Sequence, residues 1–124
     1  MKIEVSNGEI IDKLTILSIK MESIKEEEKL GNIRKEYSQL KEAAEEMGIN
    51  EGSELYQKLM SVNKKLWDIE DKIRDFERNK DFGEAFIELA RSVYITNDER
   101  SRIKREINQS TGSNLTEEKS YKEY

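Results

Sequence analysis

The chain has 124 residues and a mass of 14.6 kDa, which is the size of one domain, and it contains neither Cys nor His. That excludes disulfides, thiol nucleophiles, structural zinc sites and every catalytic device that uses imidazole as its base. A net charge of -5 with a pI near 5.0 argues against nucleic-acid or anionic-membrane binding, because both need a positive surface, and no apolar tract is long enough to span a bilayer.

The elements follow in chain order from glycine punctuation and apolar spacing, since proline is absent and glycine occurs six times. After the lead Ile3-Glu4-Val5, Ser6 and Glu9 have the form of a capping box that opens helix one, expected over 6–30. Its stripe is Ile10, Leu14, Leu17, Met21 and Ile24, stepping by four and three. The next stripe, Leu30, Ile33, Tyr37, Leu40, Ala44 and Met47, belongs to helix two, expected over 32–47 and stopped by the loop Gly48 to Gly52. The register slips between these stripes around Gly31, so a turn or kink is expected there.

Helix three, expected over 53–79, has the cleanest pattern: Leu55, Leu59, Val62, Leu66, Ile69, Ile73 and Phe76. Asp81 with Glu84 reads as a capping box for helix four, expected over 82–110, whose stripe is Phe86, Leu89, Val93, Thr96, Arg100, Ile103 and Ile107. Two of those seam positions, Thr96 and Arg100, are polar. Thr96 and Glu99 also have capping-box form, but the phase of the stripe is preserved across them, which favours one continuous helix. Residues 113–124 form a polar tail without a stripe, whose contact points would be Leu115 and Tyr121.

These readings give an all-α fold: one domain over 1–112, built as antiparallel long-helix hairpins or a four-helix bundle with coiled-coil-like heptad seams. Only 35% of the residues are hydrophobic and 40% are charged, so the core is a narrow seam. Narrow seams in a small chain often need a second copy to complete their burial. Ile11, Ile16, Ile19, Met60, Trp67 and Ile87 stand beside the seams, and a homodimer is the expected assembly. No charged leader and apolar h-region precede Asn7, so a cytoplasmic protein is expected.

The candidate site is a polar band on helices three and four. Asn63, Trp67, Glu70 and Arg74 share one line of helix three; Tyr94, Asn97, Ser101 and Lys104 share one line of helix four, with Arg100 beside them. If the lines face each other they form a pocket with an aromatic wall, a carboxylate, amides and cations, the mixture used by small-molecule sites and by interface hot spots. The same residues equally fit a polar layer that sets helix register around a packed Trp. The row Asp68, Asp71 and Asp75 has oxygen ligands of the kind magnesium takes, yet Lys64 and Lys72 stand four residues to either side of Asp68 as ordinary ion-pair partners, and no metal or cofactor is expected. The cluster Arg100, Arg102, Lys104 and Arg105 suits either a phosphate or acidic partner or the negative end of the helix dipole. No glycine-rich phosphate loop and no nucleophile elbow is present.

Four stretches carry a resemblance across nearly the whole chain: Glu9-Ile10-Ile11-Asp12-Lys13-Leu14-Thr15-Ile16-Leu17, Leu66-Trp67-Asp68-Ile69-Glu70-Asp71-Lys72-Ile73-Arg74, Tyr94-Ile95-Thr96-Asn97-Asp98-Glu99-Arg100 and Glu117-Glu118-Lys119-Ser120-Tyr121. In this order they resemble a family of small helical proteins of unknown function found in bacteria and their phages. The resemblance implies a stand-alone cytoplasmic domain and a tail that docks on the bundle, and it brings no catalytic residue with it. The expected function is therefore a non-catalytic, oligomeric helical interaction module that binds a protein partner through exposed parts of helices three and four. The alternatives are a small-ligand binder or enzyme around Trp67 and Asn97, with Glu70 as acid or base, and a phage-type inhibitor that presents its acidic surface to a host protein.

Overall fold

The computed structural model describes residues Met1–Tyr124. Four helices follow one another, α1 (Asn7–Ser23), α2 (Glu27–Glu46), α3 (Glu54–Arg78) and α4 (Glu84–Thr111), and no strand is present. The all-α expectation holds, and α4 runs unbroken through Thr96.

Helix α1 is the hub, packing against α2, α3 and α4, while α3 and α4 pack against each other as a long hairpin. A central helix needs more than one apolar stripe, and α1 has two. Leu14 and Leu17 belong to the expected stripe, whereas Gly8, Ile11, Asp12, Thr15 and Ile19 make a second buried line. Ile11 and Ile19 are 0% and 4% exposed, so the chain itself covers two of the residues expected to need a second copy. The main core joins Ile11, Leu14, Ala44, Ile49, Tyr56, Leu59, Val62, Ile103 and Ile107.

The turn between the first two helices lies at 24–26, not at Gly31, which sits inside α2. The acidic run explains the difference. Glu27 and Glu28 occupy the first turn of α2, where carboxylates meet the positive end of the helix dipole, and Leu30 and Ile33 can then be buried on one helix. An exposed mid-helix glycine costs only about 1 kcal/mol relative to alanine, too little to impose a break. At the other hairpin, Gly83 rather than Asp81 is the N-cap of α4; Asp81 Oδ1 accepts from the Gly83 amide at 3.3 Å, a local turn in place of the expected capping box. At Ser6 the expected half-bond forms, with Oγ accepting from the Glu9 amide at 3.3 Å.

Helix lengths decide what is covered. At 1.5 Å per residue α1 is about 26 Å long, whereas α3 and α4 reach about 37 and 42 Å. Gly8 of α1 lies against Lys104 and Asn108 near the end of α4, and Lys64 of α3 reaches Glu22 near the end of α1. The far part of the α3–α4 hairpin therefore extends past α1, and no residue between Ile69 and Thr96 is buried.

The tail has no regular structure. It docks, though not by the expected apolar residues: Leu115 and Tyr121 are 41% and 80% exposed. Its anchors are Glu117 and Glu118, which pair with Lys104 and Arg105; at its end the exposed Tyr124 ring meets that of Tyr94 edge-on at 5.1 Å.

Candidate functional site

Asp12 is the centre of a polar layer between α1, α3 and α4, with its side chain 1% exposed. The Arg100 guanidinium grips it with two nitrogens, Nε donating to Oδ1 at 2.9 Å and Nη2 to Oδ2. Asn63 Nδ2 donates to the same Oδ1 at 2.9 Å and to Thr15 Oγ1 at 2.8 Å, and the Thr15 hydroxyl donates to the Asp12 carbonyl at 2.7 Å. Thr96, one turn before Arg100 on α4, is 1% exposed, and its hydroxyl has no hydrogen-bond partner.

One helical turn along α4, Lys104 donates to Glu9 at 2.8 Å and reaches Glu117 at 3.2 Å. Negative and positive groups thus alternate along the α1–α4 seam and into the tail. The Asp12 hydrogen bonds hold the Arg100 guanidinium above its ordinary pKa against the opposing effect of burial. Burial alone would lower the Lys104 ammonium, but Glu9, Asp12 and Glu117 together raise it. The Glu117 carboxyl shows the mirror case: burial pushes it up, and its contacts with Glu9 and Lys104 bring it below the usual glutamate value. Arg100, Lys104 and Glu117 are thus each shifted toward their charged forms by their partners in this seam. Both Asp12 oxygens are engaged, by three hydrogen bonds from α3 and α4, an arrangement that aligns the three helices.

The expected band is divided among several places. Asn63 and Arg100 meet on Asp12, and Lys104 stands next to them on the Glu9 side. Trp67 is half-buried, while Glu70 and Arg74 are exposed on the uncovered stretch of α3 and pair with each other. Tyr94 and Asn97 line a cleft of about 500 Å³ whose other wall is the tail, Lys119 to Tyr124, with no α3 residue in it. The two lines of the band do not close one pocket. Asp68, Asp71 and Asp75 are all exposed, Asp75 pairs with Arg78, and Lys64 turns to Glu22 instead of Asp68. No three acidic side chains converge in the fold.

Asp12, Thr15, Glu9 and Glu117 were missing from the expected site. Their signal was indirect: polar Thr96 and Arg100 at seam positions demand polar partners on the facing helix, and Asp12 and Thr15 are polar residues three apart, on one face, in the mostly apolar run of α1. Thr96→Val removes a buried hydroxyl that satisfies nothing while keeping its shape. It is expected to stabilise the fold by about 1 kcal/mol, read as a rise in the urea midpoint at unchanged slope.

The sequence model of a family of unknown function, DUF6165, matches residues 1–124. No curated protein and no solved structure matches the chain.

Proposed function

For a chain that belongs to the DUF6165 family of unknown function, we propose a non-catalytic role as a helical interaction module, self-associating as a dimer and docking a protein partner on the far part of the α3–α4 hairpin. The observation that carries this reading is the absence of any buried residue between Ile69 and Thr96, in a stretch that holds Ile73, Phe76, Phe82, Phe86, Ile87 and Leu89. Phe82 and Ile87 are 48% and 53% exposed. Phe86 packs edge-on against both Phe76 and Phe82, at 6.3 and 5.3 Å, which gives the tip a rigid aromatic centre of the kind that interface hot spots use. No helix is long and apolar enough to cross a membrane, so lipid around a spanning helix is not what covers these residues.

The test is a comparison of the wild-type chain with Ile87→Asp and Phe82→Asp by light scattering and by capture from native lysate. The wild type is expected to run as a dimer and to retain a specific partner. The variants should lose either contact by at least tenfold, about 1.4 kcal/mol, while melting as the wild type does. Retention at moderate salt would mark an apolar contact, and loss in salt would favour docking by the acidic surface. A wild-type monomer that captures nothing would remove the reading. A catalytic or small-ligand role around Trp67 and Asn97 has less support, since the cleft that Asn97 lines does not include Trp67.

A further inference from the structure

We propose that the cleft between α4 and the C-terminal tail binds a small oxyanion, phosphate or the phosphate end of a phosphorylated ligand, independently of the hairpin surface. The cleft measures about 190 Å³ and no apolar residue lines it. Small-molecule pockets are usually larger, about 300 Å³ and more, so the space suits one ionic group rather than a whole ligand.

Its charge runs against that of the chain. Arg102, Lys104, Arg105 and Lys119 line it against a single carboxylate, Glu117, in a protein whose net charge is -5. Two of these cations are already occupied, Lys104 by Glu9 and Glu117 and Arg105 by Glu118. Arg102 and Lys119 form no ion pair; the Lys119 ammonium lies 5.9 Å over the Tyr121 ring. Two uncommitted cations on opposite walls, one from α4 and one from the tail, are the arrangement that clamps an oxyanion.

A separate observation comes from Asn108, which is 4% exposed and lines the same cleft. Its Oδ1 accepts from the Gly8 amide at 2.6 Å, so the orientation of the side-chain amide is fixed by α1. Nδ2 then has no partner in the protein. It is the free donor of a nearly buried residue that lines the cleft. Glu117 acts as an internal competitor, since its carboxylate already sits 3.2 Å from Lys104 where an incoming anion would gain most. An anion with three acceptor oxygens can meet Arg102, Lys119 and Asn108 together, which the single tethered carboxylate cannot.

The experiment is calorimetric titration of the full chain with inorganic phosphate and with glycerol phosphate, against chloride at matched ionic strength. Saturable binding of either phosphate compound, absent with chloride, is expected. Arg102→Ala combined with Lys119→Ala should weaken it at least tenfold while leaving the melting temperature of the ligand-free protein in place, because neither side chain is paired. Tighter binding of the ester than of the free ion would support a phosphorylated ligand, and equal or weaker binding would support the free ion. Absence of saturation with both compounds, binding matched by chloride, or binding indifferent to the double variant would each overturn the proposal. None of these outcomes depends on the hairpin, so the two readings can fail separately.

Discussion

Arg100→Ala is expected to be among the most destabilising single substitutions in this chain, by about 3–5 kcal/mol, because it leaves the buried Asp12 carboxylate without its counter-charge. The Asp12 side chain is 1% exposed and that of Arg100 29%, so the truncation leaves a carboxylate that solvent reaches only from the Arg100 side and cannot hydrate fully. Asn63 and its one remaining hydrogen bond to Oδ1 would then face a charge that they cannot neutralise. Urea unfolding followed by circular dichroism measures the loss directly, and the thermal midpoint should fall by about 10 °C or more. The pair itself is a weaker source of net stability than this figure suggests, since desolvating both ions offsets much of their attraction. The double variant Asp12→Asn with Arg100→Met tests that distinction. It should cost much less than the two single changes added together, with a coupling of about 1–3 kcal/mol. A loss below about 0.5 kcal/mol for Arg100→Ala would place the pair with screened surface bridges and contradict its burial.

The same layer shows where the sequence was readable and where it was not. Seam positions of α3 came out correctly because Leu59, Val62 and Ile69 obey a spacing set by helix geometry alone. Thr96 and Arg100 were equally visible as exceptions to that spacing. What the spacing could not supply was the third helix that meets them, because α1 approaches α3 and α4 from distant sequence and with its second stripe. Helix ends failed for a related reason. Gly31 looked like punctuation, but a glycine in an exposed turn of helix is a small local cost, and the acidic run before it fixed the true start of α2. The tail was misjudged by hydropathy: Leu115 and Tyr121 looked like the anchors, whereas Glu117 and Glu118 find cations on α4 whose positions only the folded chain defines. The candidate pocket required two helix faces to oppose each other, and the rotation of a helix about its own axis is set by packing against all of its neighbours.

Gly8 allows that packing to be tested in a single residue. It is helical with an ordinary negative φ, so intrinsic propensity alone says that Gly8→Ala should stabilise α1 by about 1 kcal/mol. The geometry says the reverse. A Cβ at Gly8 would stand 2.5 Å from the Lys104 carbonyl oxygen and 3.0 Å from its carbonyl carbon, and 3.1 Å from Asn108 Oδ1. Two of those atoms are α4 backbone and cannot rotate away, so α1 must lift from α4. Lifting stretches the hydrogen bond from the Gly8 amide to Asn108 Oδ1 and strains the Glu9–Lys104 and Asp12–Arg100 pairs at once. The expected net effect is a loss of about 1–3 kcal/mol, the usual cost of forcing extra volume into a packed contact. Gly31→Ala is the matched control, since nothing lies within 4 Å of the added carbon and the site is an exposed helical turn. It should gain about 0.5–1 kcal/mol. Chemical denaturation of the two variants beside the wild type should therefore move the midpoint in opposite directions for the same chemical change. A rise in both would mean that α1 and α4 can separate without penalty, and the ion pairs between them would then lack the rigid spacing that the Gly8 contact sets.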